Sequence, residues 1–347
     1  MTIPLSSGTR PLCTAALDRV VYLLDRSLAD GYRIRAFQRA LAVIGGLDDD
    51  ELAERIDNGT LTQLDGIGDA TATVIAEAAG GTVGTYLTKL EAETLIVRTP
   101  GGDQLVHELR GDCHLHSTWS DGSASPLAMA EAARALGHEY IVLTDHSARL
   151  TVAHGLTRDR HLRQLEEVAA VNEAVAPFRV LTGIEVDINE DGSLDGDDDL
   201  LDHLDVVVAS VHSKLRMERQ AMTRRMVLAA ANPRVDILGH CTGRKVTGKG
   251  RDGSDADFDL VFAACARFDK AVEINCRPER LDPPRALIAR ALEIGCRFSI
   301  DTDAHATGQL EWQPYGANRA AEMGVPADRI VNTGGAEDLI NWAHSHR

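Results

Sequence analysis

The amino-acid sequence predicts an α/β fold in which a seven-stranded parallel barrel follows a small all-helical domain. Residues 12 to about 90 carry apolar side chains at helical spacing. From residue 111 onward, seven short apolar segments alternate with amphipathic helices. Repeated βα units favour a closed parallel barrel, although the sequence alone separates such a barrel poorly from an open sheet.

The helices of the first domain are bounded by ordinary stop signals. The segment LCTAALDRVVYLLDRSLADG is predicted to end at Gly31, and RIRAFQRALAVIGG ends at its paired glycines. A third helix, DDDELAERIDNG, begins with acidic residues, which suit a helix N-terminus, and ends at Asn58 and Gly59.

A glycine hairpin, Gly66-Ile67-Gly68, joins two short helices within the segment LTQLDGIGDATATVIAEAAGG. In this helix-hairpin-helix pattern the backbone amides can face a phosphate with little steric obstruction, as at a helix N-terminus. A plain helical turn is the alternative interpretation. The predicted contacts with the DNA backbone are those of Gly66, Ile67, Gly68 and Asp69.

The stretch Pro100-Gly101-Gly102 marks the boundary between the two parts of the chain. We assign residues 1–95 to the helical domain, 96–110 to a linker and 111–347 to the barrel. In parallel barrels the chemistry gathers at the C-terminal ends of the strands, so a site is expected there.

The composition limits the partners and the compartment. No run of about 18 apolar residues occurs, and the first residues lack the apolar core of a secretory signal, so no membrane partner is expected. Six scattered cysteines without a CxxC pair suit reduced thiols in the cytoplasm. The net charge of -17 argues against a polyanionic substrate. However, bound cations offset the charge of a carboxylate-rich site, and a basic run at residues 214–251 favours phosphate binding.

Side chains that can bind metal stand at the ends of almost every predicted strand. Side chains alternate along a strand, so His114 and His116 point the same way, as do Asp303 and His305. Imidazoles together with carboxylates suit zinc, manganese or iron. Nine such groups exceed what one ion needs, and Glu185 can bridge two ions. The predicted ligands are His114, His116, Asp121, His146, Glu185, His212, His240, Asp303 and His305.

Other polar residues near the strand ends are interpreted differently. Asp112 and Asp145 are predicted to orient a neighbouring histidine. Cys113 alternates away from His114 and is assigned to the core. For Asn275, a hydrogen bond to substrate and a structural role are both open. The remaining histidines are predicted to face solvent: His107, His138, His154, His161, His203, His344 and His346.

Six motifs occur in an order that resembles the PHP superfamily, the polymerase and histidinol phosphatase domain: HLHSTWSDG, TDH, GIE, SVH, GH and DTDAH. The resemblance covers roughly residues 110–347. It implies a distorted seven-stranded PHP barrel with a trinuclear metal site. The implied groupings are His114, His116, Glu185 and Asp303 on one ion, Glu185, His212 and His240 on a second, and Asp121, His146 and His305 on a third.

Longer segments resemble one branch of that family, the bacterial family X DNA polymerases. HCTGR and EINCRPERLD look like their PHP domain, and GYRIRAFQRA and LDGIGDATATVI look like their N-terminal lyase-type domain. The polymerase palm that separates these parts in the family has no counterpart between them here, which implies no polymerase activity. The turn after the hairpin, which contains Val74, has no lysine for a Schiff base, so no deoxyribose-phosphate lyase activity is expected.

These observations predict a metal-dependent DNA phosphodiesterase, and the family resemblance implies a 3′-to-5′ exonuclease of DNA repair that can also cleave at abasic sites. Three divalent ions would activate a water, with Glu185 and Asp303 at the reacting centre. Arg244, Arg277 or Arg280 would hold the phosphate, unless they form salt bridges of the barrel. We expect a cytoplasmic monomer that contacts the backbone of single-stranded DNA or of 3′ ends.

Two alternatives remain open at the level of sequence. A small-molecule phosphomonoesterase of the histidinol-phosphatase type would use the same barrel chemistry but needs no domain that holds DNA. A binding protein would use its metals only to stabilise the fold. The sequence does not distinguish manganese, zinc and iron, because all three accept this mixed ligand set.

Overall fold

A computed structural model describes residues 8–347 of the chain. These residues form two compact units, of which the first ends at Leu95 and the second spans Ile96–Arg347. The first seven residues, which the predicted helical domain includes, lie outside the described part of the chain.

The described part of the first unit, residues 8–95, contains five α-helices, which confirms the helical region that the sequence predicts. Its core is separate from that of the barrel and completely buries Leu17, Leu23 and Ile75. The helices are α1 (Thr9–Arg26), α2 (Gly31–Gly45), α3 (Asp49–Asp57), α4 (Asp69–Ala79) and α5 (Thr85–Glu93).

The glycine hairpin lies immediately before α4. Gly66 has a φ of +94°, and a Cβ there would lie 2.8 Å from the side chain of Arg39, so the position requires glycine. Ile67 is buried in the core of the unit, and its N–H donates to a backbone carbonyl of the preceding turn. The Gly68 N–H donates to Thr71 Oγ1 at 2.9 Å. Two of the four amides predicted to face a phosphate are therefore used inside the hairpin.

The second unit is a barrel of seven parallel strands, each hydrogen-bonded to the next in chain order, as the sequence predicts. The strands are buried almost throughout, because side chains fill the barrel on one face and helices cover the other. They are β1 (Gly111–Leu115), β2 (Tyr140–Leu143), β3 (Arg179–Asp187), β4 (Val206–Ser210), β5 (Ile237–Leu238), β6 (Ala271–Asn275) and β7 (Arg297–Asp301).

Helices precede, connect and follow these strands. Over residues 8–347, no helix is both long and apolar enough to cross a membrane. The helices of this unit are α6 (Pro100–Glu108), α7 (Pro126–Ala135), α8 (Arg158–Val175), α9 (Asp198–Leu201), α10 (Arg219–Ala231), α11 (Phe258–Arg267), α12 (Arg285–Ile294), α13 (Gln313–Glu322) and α14 (Ala336–His344).

Helix α6 occupies most of the segment predicted as a linker, residues 96–110, and this assignment is corrected here. The Thr99 hydroxyl accepts from the Gly102 N–H at 3.1 Å, and Pro100 stands in the first turn, so the Pro-Gly-Gly stretch begins a helix. A Cβ on Gly102 would lie 2.9 Å from Asn318 Cα, and its absence lets α6 approach α13 closely. The segment therefore belongs to the barrel unit.

The first and last strands meet at a seam that side chains help to close. One parallel bridge joins Leu115 to Ala304, just beyond β7. The Asp301 carboxylate accepts from the Cys113 N–H at 2.8 Å, and the Asp112 carboxylate accepts from the Thr302 N–H at 3.2 Å. The seam thus depends on two buried carboxylates directly below the ends of β1 and β7.

Candidate metal centre

The nine predicted ligands converge at the C-terminal end of the barrel. His114 and Glu185 lie within β1 and β3, whereas the others follow a strand directly or lie in the turn after it. The chain bends sharply after β7, where Asp303 has a φ of +54°. All nine residues are buried or half-buried except Asp121, which is exposed in its turn. Strand ends that meet at one edge of the barrel thus bring residues from 114 to 305 into one cluster.

Glu185 is the centre of this cluster. Its Oε1 lies 2.9 Å from His240 Nε2, 3.2 Å from His212 Nε2 and 3.3 Å from His114 Nε2. Its Oε2 lies 2.8 Å from His146 Nδ1. Burial favours the neutral acid, but the surrounding imidazoles outweigh it and hold the pKa of Glu185 well below its usual range. Glu185 is therefore an ionised carboxylate with histidines on both oxygens, the arrangement that a bridging ligand requires.

A second part of the cluster surrounds Asp121. Its Oδ1 lies 3.6 Å from His146 Nε2 and 3.4 Å from His305 Nε2. The His116 ring lies with its centroid 4.3 Å from those of His146 and His305. Burial, together with these two neighbouring rings, holds the pKa of His116 well below its usual value. His116 is thus neutral, which is the form of histidine that binds metal.

Four overlapping sets of side chains place their ligand atoms within 4.8 Å of one another. Three sets cross the implied groupings: one adds His116 to the Asp121 set, one joins His114 to His240, and one joins His146 to His212. The assignment of ligands to individual ions therefore stays a prediction. The sets are His116, Asp121, His146 and His305; His114, Glu185 and His240; His114, His116 and Asp303; and His146, Glu185 and His212.

The donor atoms of the cluster fit divalent metal ions. His116 Nδ1 and Nε2, His212 Nε2 and Glu185 Oε2 are buried without a hydrogen bond of ordinary geometry. A buried polar atom without a partner is costly. Metal ions bound among these nitrogen and oxygen atoms would satisfy them, so the residues present suit such ions.

Two carboxylates that the sequence analysis missed orient the histidines from behind. Glu273, in the middle of β6, has its Oε1 2.6 Å from His114 Nδ1 and also accepts from the His240 backbone N–H. Asp187, at the end of β3, has its Oδ1 2.7 Å from His212 Nδ1. Each carboxylate leaves Nε2 of its histidine free to face the cluster. The signal for Glu273 was a lone acid within the apolar strand AVEIN.

The two aspartates predicted to orient histidine rings do not do so. Asp112 accepts from Thr302 and from the backbone N–H of His114, and so helps to close the seam. Asp145 accepts from Ser117, Ser120 and Gln164. It therefore fixes the turn that carries Asp121, because Ser117 and Ser120 belong to that turn. The physical reason is that both carboxylates meet backbone N–H and hydroxyl donors before they can reach an imidazole.

Asn275 and two of the remaining histidines also have assigned places. Asn275 Nδ2 donates to Glu273 at 3.2 Å and to Asp303 at 3.3 Å, which is a structural role within the cluster. His161 is only 1% exposed, and His346 is buried beside Asp236 at 3.1 Å. The prediction that these two histidines face solvent is wrong, because α8 and the residues after α14 pack them inward.

The cluster opens into a cavity of about 280 Å³, whose cationic wall is formed by Lys245, Arg277 and Arg280. Arg280 Nε lies 3.2 Å from Asp303 Oδ2. Arg277 donates to Glu279 at 3.0 Å, and its Nη1 lies 3.1 Å from His305 Nδ1. Arg277 and Arg280 thus contact the ligand cluster directly, and together with Lys245 they make one side of the cavity cationic.

Arg244, predicted to hold the phosphate, is not among the residues that line this cavity. Its guanidinium donates to the backbone carbonyls of Arg280 and Leu281, and this fixes the loop after β6. Its proximity to His240 in sequence was misleading, because its guanidinium reaches the carbonyls of the loop after β6, whereas the neighbouring Lys245 lines the cavity. Arg244 is therefore a structural residue in this geometry.

Half of the ten basic residues at 214–251 are likewise bound to partners within the fold. Arg225 is fully buried and donates to the carbonyls of Ile188 and Ser213. Arg234 pairs with Asp202 at 2.7 Å. Of this run, Lys245 lines the cavity. The predicted phosphate-binding run thus contributes one side chain to the cavity, because local acids and carbonyls engage others.

Comparison with known proteins also finds the PHP domain that the sequence motifs resemble. The family model of the PHP domain matches residues 112–275. The chain is 38% identical over 232 residues to "DNA polymerase/3′-5′ exonuclease PolX" of Bacillus subtilis, and the match covers 67% of this chain but only 40% of that relative. It is 26% identical over 233 residues to a probable phosphatase of Thermoanaerobacter sp., with 64% of this chain and 89% of the relative covered.

A solved structure with a related outline is that of histidinol phosphate phosphatase from Lactococcus lactis. It is 19% identical and covers 62% of this chain and 94% of its own, with a TM-score of 0.46.

Proposed function

We propose that the chain, whose residues 112–275 match the PHP domain, is a phosphoester hydrolase and that its substrate is DNA. In this proposal it is a metal-dependent phosphodiesterase that removes nucleotides from 3′ ends and also cleaves at abasic sites. The observation that carries the proposal is the buried cluster around Glu185 facing a cationic wall. Such a site binds cations on one side and a phosphate on the other.

We assign the nine converging side chains to as many as three divalent ions, with Glu185 as the bridge between positions. Bound divalent ions would supply Lewis acidity, lower the pKa of a water and offset charge on the phosphate oxygens. Asp303 contributes an ionised carboxylate, because His116 and Arg280 outweigh its burial and hold its pKa well below the usual range. His116 contributes a neutral imidazole.

In this proposal the arginines beside the ligands hold the phosphate. Arg280 is kept in place by its ion pair with Asp303, and it directs a guanidinium at the cavity. Arg277 stacks over Trp312 at 5.5 Å, which fixes its plane beside His305. Charge-assisted hydrogen bonds from such fixed guanidiniums position a phosphate and stabilise the added charge of the transition state. No protein side chain need form a covalent bond to phosphorus.

The first unit supports DNA as the substrate. Its hairpin leaves Gly66 and Asp69 as the amides proposed to contact a DNA phosphate, and the exposed Arg39 side chain packs over Gly66. A small soluble monoester needs no such unit. The similarity to PolX, whose name includes a 3′-5′ exonuclease, supports the same conclusion. No lyase function is assigned, because Lys89 is the one lysine of residues 1–95 and lies on α5 beside Glu93.

The test uses the purified full chain with manganese on 5′-labelled single-stranded and 3′-recessed DNA. Progressive shortening from the 3′ end by the wild type, and not by His116→Ala, is the expected result. If both DNAs survive under manganese, zinc and iron, or if His116→Ala behaves like the wild type, the proposal fails.

A second candidate, a small-molecule phosphomonoesterase, is favoured by one observation. Probable phosphatases match this chain over almost their entire length, 89% in the Thermoanaerobacter protein, although at 26% identity. Turnover of histidinol phosphate and of an oligonucleotide by the same preparation separates the two. A kcat/KM for histidinol phosphate that exceeds that for the oligonucleotide would favour the phosphatase.

A further inference from the structure

A second cavity, of about 450 Å³, adjoins the metal cavity. Residues that are neighbours in the chain line the two cavities. Ser120 and His154 line the second cavity, whereas Asp121 and Ala153 line the metal cavity. The 3-10 turn Thr151–Ala153 is therefore the partition between them. Val152 lies on that turn with 86% of its surface exposed, and it lines the metal cavity.

The chemistry of this second cavity differs from that of the protein as a whole. The chain has 53 acidic residues, yet no carboxylate of residues 8–347 lines this cavity. Its polar groups are three threonine hydroxyls, one imidazole and one guanidinium, which can donate to an anion, and the Ser120 hydroxyl, which already donates to Asp145. The lining residues are Thr118, Ser120, Ala148, Thr151, His154, Gly155, Thr157 and Arg160.

Arg160 supplies a positive charge that the fold does not neutralise. Its guanidinium donates to the carbonyls of Gly155, at 3.1 Å, and of Trp119, and lies over the Trp119 ring at 5.9 Å. Within residues 8–347 it has no carboxylate partner, in contrast to Arg158 nearby, which pairs with Asp197 and Asp199. Carbonyl bonds fix the guanidinium without cancelling its charge, so the charge acts on whatever enters the cavity.

From this arrangement we propose that the second cavity binds the phosphate next to the scissile one in a polynucleotide. The inference rests on the proposed function and deepens it, since a substrate with a single phosphate does not use this cavity. The strand crosses the turn Thr151–Ala153 with the scissile phosphate at the metal cluster. Val152 offers an exposed apolar surface at the crossing, against which a sugar or base can pack.

The experiment compares two substrates that differ in phosphate number: the p-nitrophenyl ester of thymidine 5′-monophosphate and a ten-nucleotide oligothymidylate. The main variant is Thr151→Val with His154→Asn. Asparagine tolerates the left-handed backbone at residue 154, where φ is +55°, so the turn is retained. A second variant, Thr118→Val, changes a lining residue from another segment of the chain. His107→Asn, an exposed histidine on α6, is the matched control.

The measured quantity is the ratio of kcat/KM for the oligonucleotide to that for the ester. It should fall about tenfold in the double variant and severalfold in Thr118→Val, with a shallower salt dependence for the oligonucleotide, because a phosphate contact is lost. The control should keep the wild-type ratio. Unchanged ratios in both cavity variants, or equal losses on both substrates, would overturn the second subsite. A wild type that hydrolyses only the ester would instead reject the proposed function, and the subsite with it.

Discussion

Glu273 Oε1 and His114 Nδ1 lie 2.6 Å apart in the interior of the barrel, with both side chains fully buried. This contact fixes the ring so that its Nε2 faces Glu185. Because a carboxylate behind a ligating histidine controls both its orientation and its basicity, Glu273 governs the metal centre without touching it.

Replacing Glu273 with glutamine should weaken metal binding by about 10- to 100-fold, because the amide is a poorer acceptor for the imidazole N–H. Titration of the metal-free protein with manganese, followed by calorimetry, measures the change. The variant should keep the folded far-UV spectrum, since the amide can still bond to the His240 backbone. Metal affinity equal to that of the wild type would show that Glu273 is only a packing residue.

Asp187→Asn should have a similar but more local effect. Asp187 Oδ1 lies 2.7 Å from His212 Nδ1, so the variant should lose one metal position of the cluster and reduce kcat by about tenfold or more. Metal analysis of the purified variant should give fewer ions per chain than the wild type. Asp191→Asn, at the exposed hairpin tip four residues later, is the control and should retain full occupancy.

Substitution of Arg280 should lower the activity, whereas substitution of Arg244 should lower the stability. Arg280→Gln removes a cation from the cavity and should lower kcat/KM by about 10²- to 10³-fold. Arg244→Gln removes bonds to the carbonyls of Arg280 and Leu281, so it should cost about 1–3 kcal/mol of unfolding free energy. Its kcat/KM should change little at a temperature where the variant is folded. If Arg244→Gln instead lowered kcat/KM and left the unfolding free energy unchanged, Arg244 would be assigned to the phosphate site.

Borohydride trapping tests the absence of lyase chemistry. A Schiff base needs an amine at the sugar, and α4 has no lysine, while Lys89 on α5 is 76% exposed and paired with Glu93. Incubation with abasic DNA and borohydride should therefore give no adduct in residues 60–90. Mass spectrometry of the peptides checks this, with a lyase of known activity as the positive control. An adduct on Lys89 would refute the prediction.

Lys270 should make stability depend on pH. It lies immediately before β6 with 1% of its surface exposed, and burial lowers its pKa from 10.5 to about 8. Between pH 8 and 10.5 the unfolded chain therefore holds a proton that the folded chain has released, so the unfolding free energy rises with pH in this window. Below pH 8 both states are protonated and the contribution to the slope vanishes.

Lys270→Met removes this contribution. Relative to that of the variant, the unfolding free energy of the wild type should increase from pH 8 to 10.5. Urea denaturation at each pH measures this difference. Lys249→Met, at an exposed loop position, should leave the pH dependence unchanged. Parallel curves for the wild type and Lys270→Met would contradict the lowered pKa.

Sequence periodicity predicted seven βα units and the convergence of the nine candidate ligands, whereas closure into a PHP barrel was implied by the family resemblance. Each strand is a short apolar run that ends in a polar residue, and parallel strands bring their ends to one edge. The role of Glu273 behind His114 was not predicted, because periodicity does not say how deep in a barrel a side chain lies. Arg244 was misplaced because its direction depends on carbonyls of the loop after β6, which are 36 and 37 residues away.

At two places the local sequence pattern predicted a structure that differs from the one that tertiary contacts stabilise. The Pro-Gly-Gly stretch suggests a linker, yet Thr99 caps it and α13 accepts the bare glycine surface, so α6 forms. His161 resembles a surface histidine in an arginine-rich helix, but the packing of α8 against β3 buries it. In both cases tertiary contacts decided between two locally acceptable conformations.

The seam between β1 and the end of β7 has a consequence for how the barrel opens. His114 and His116 stand on one side of it, and Asp303 and His305 on the other. Ions bound between them would join the two ends of the ring, as a crosslink does that closes a loop of about 190 residues. With such ions, the amides that bridge Leu115 and Ala304 should exchange with solvent faster after chelation. Metal loss would then be coupled to the opening of the barrel at this seam.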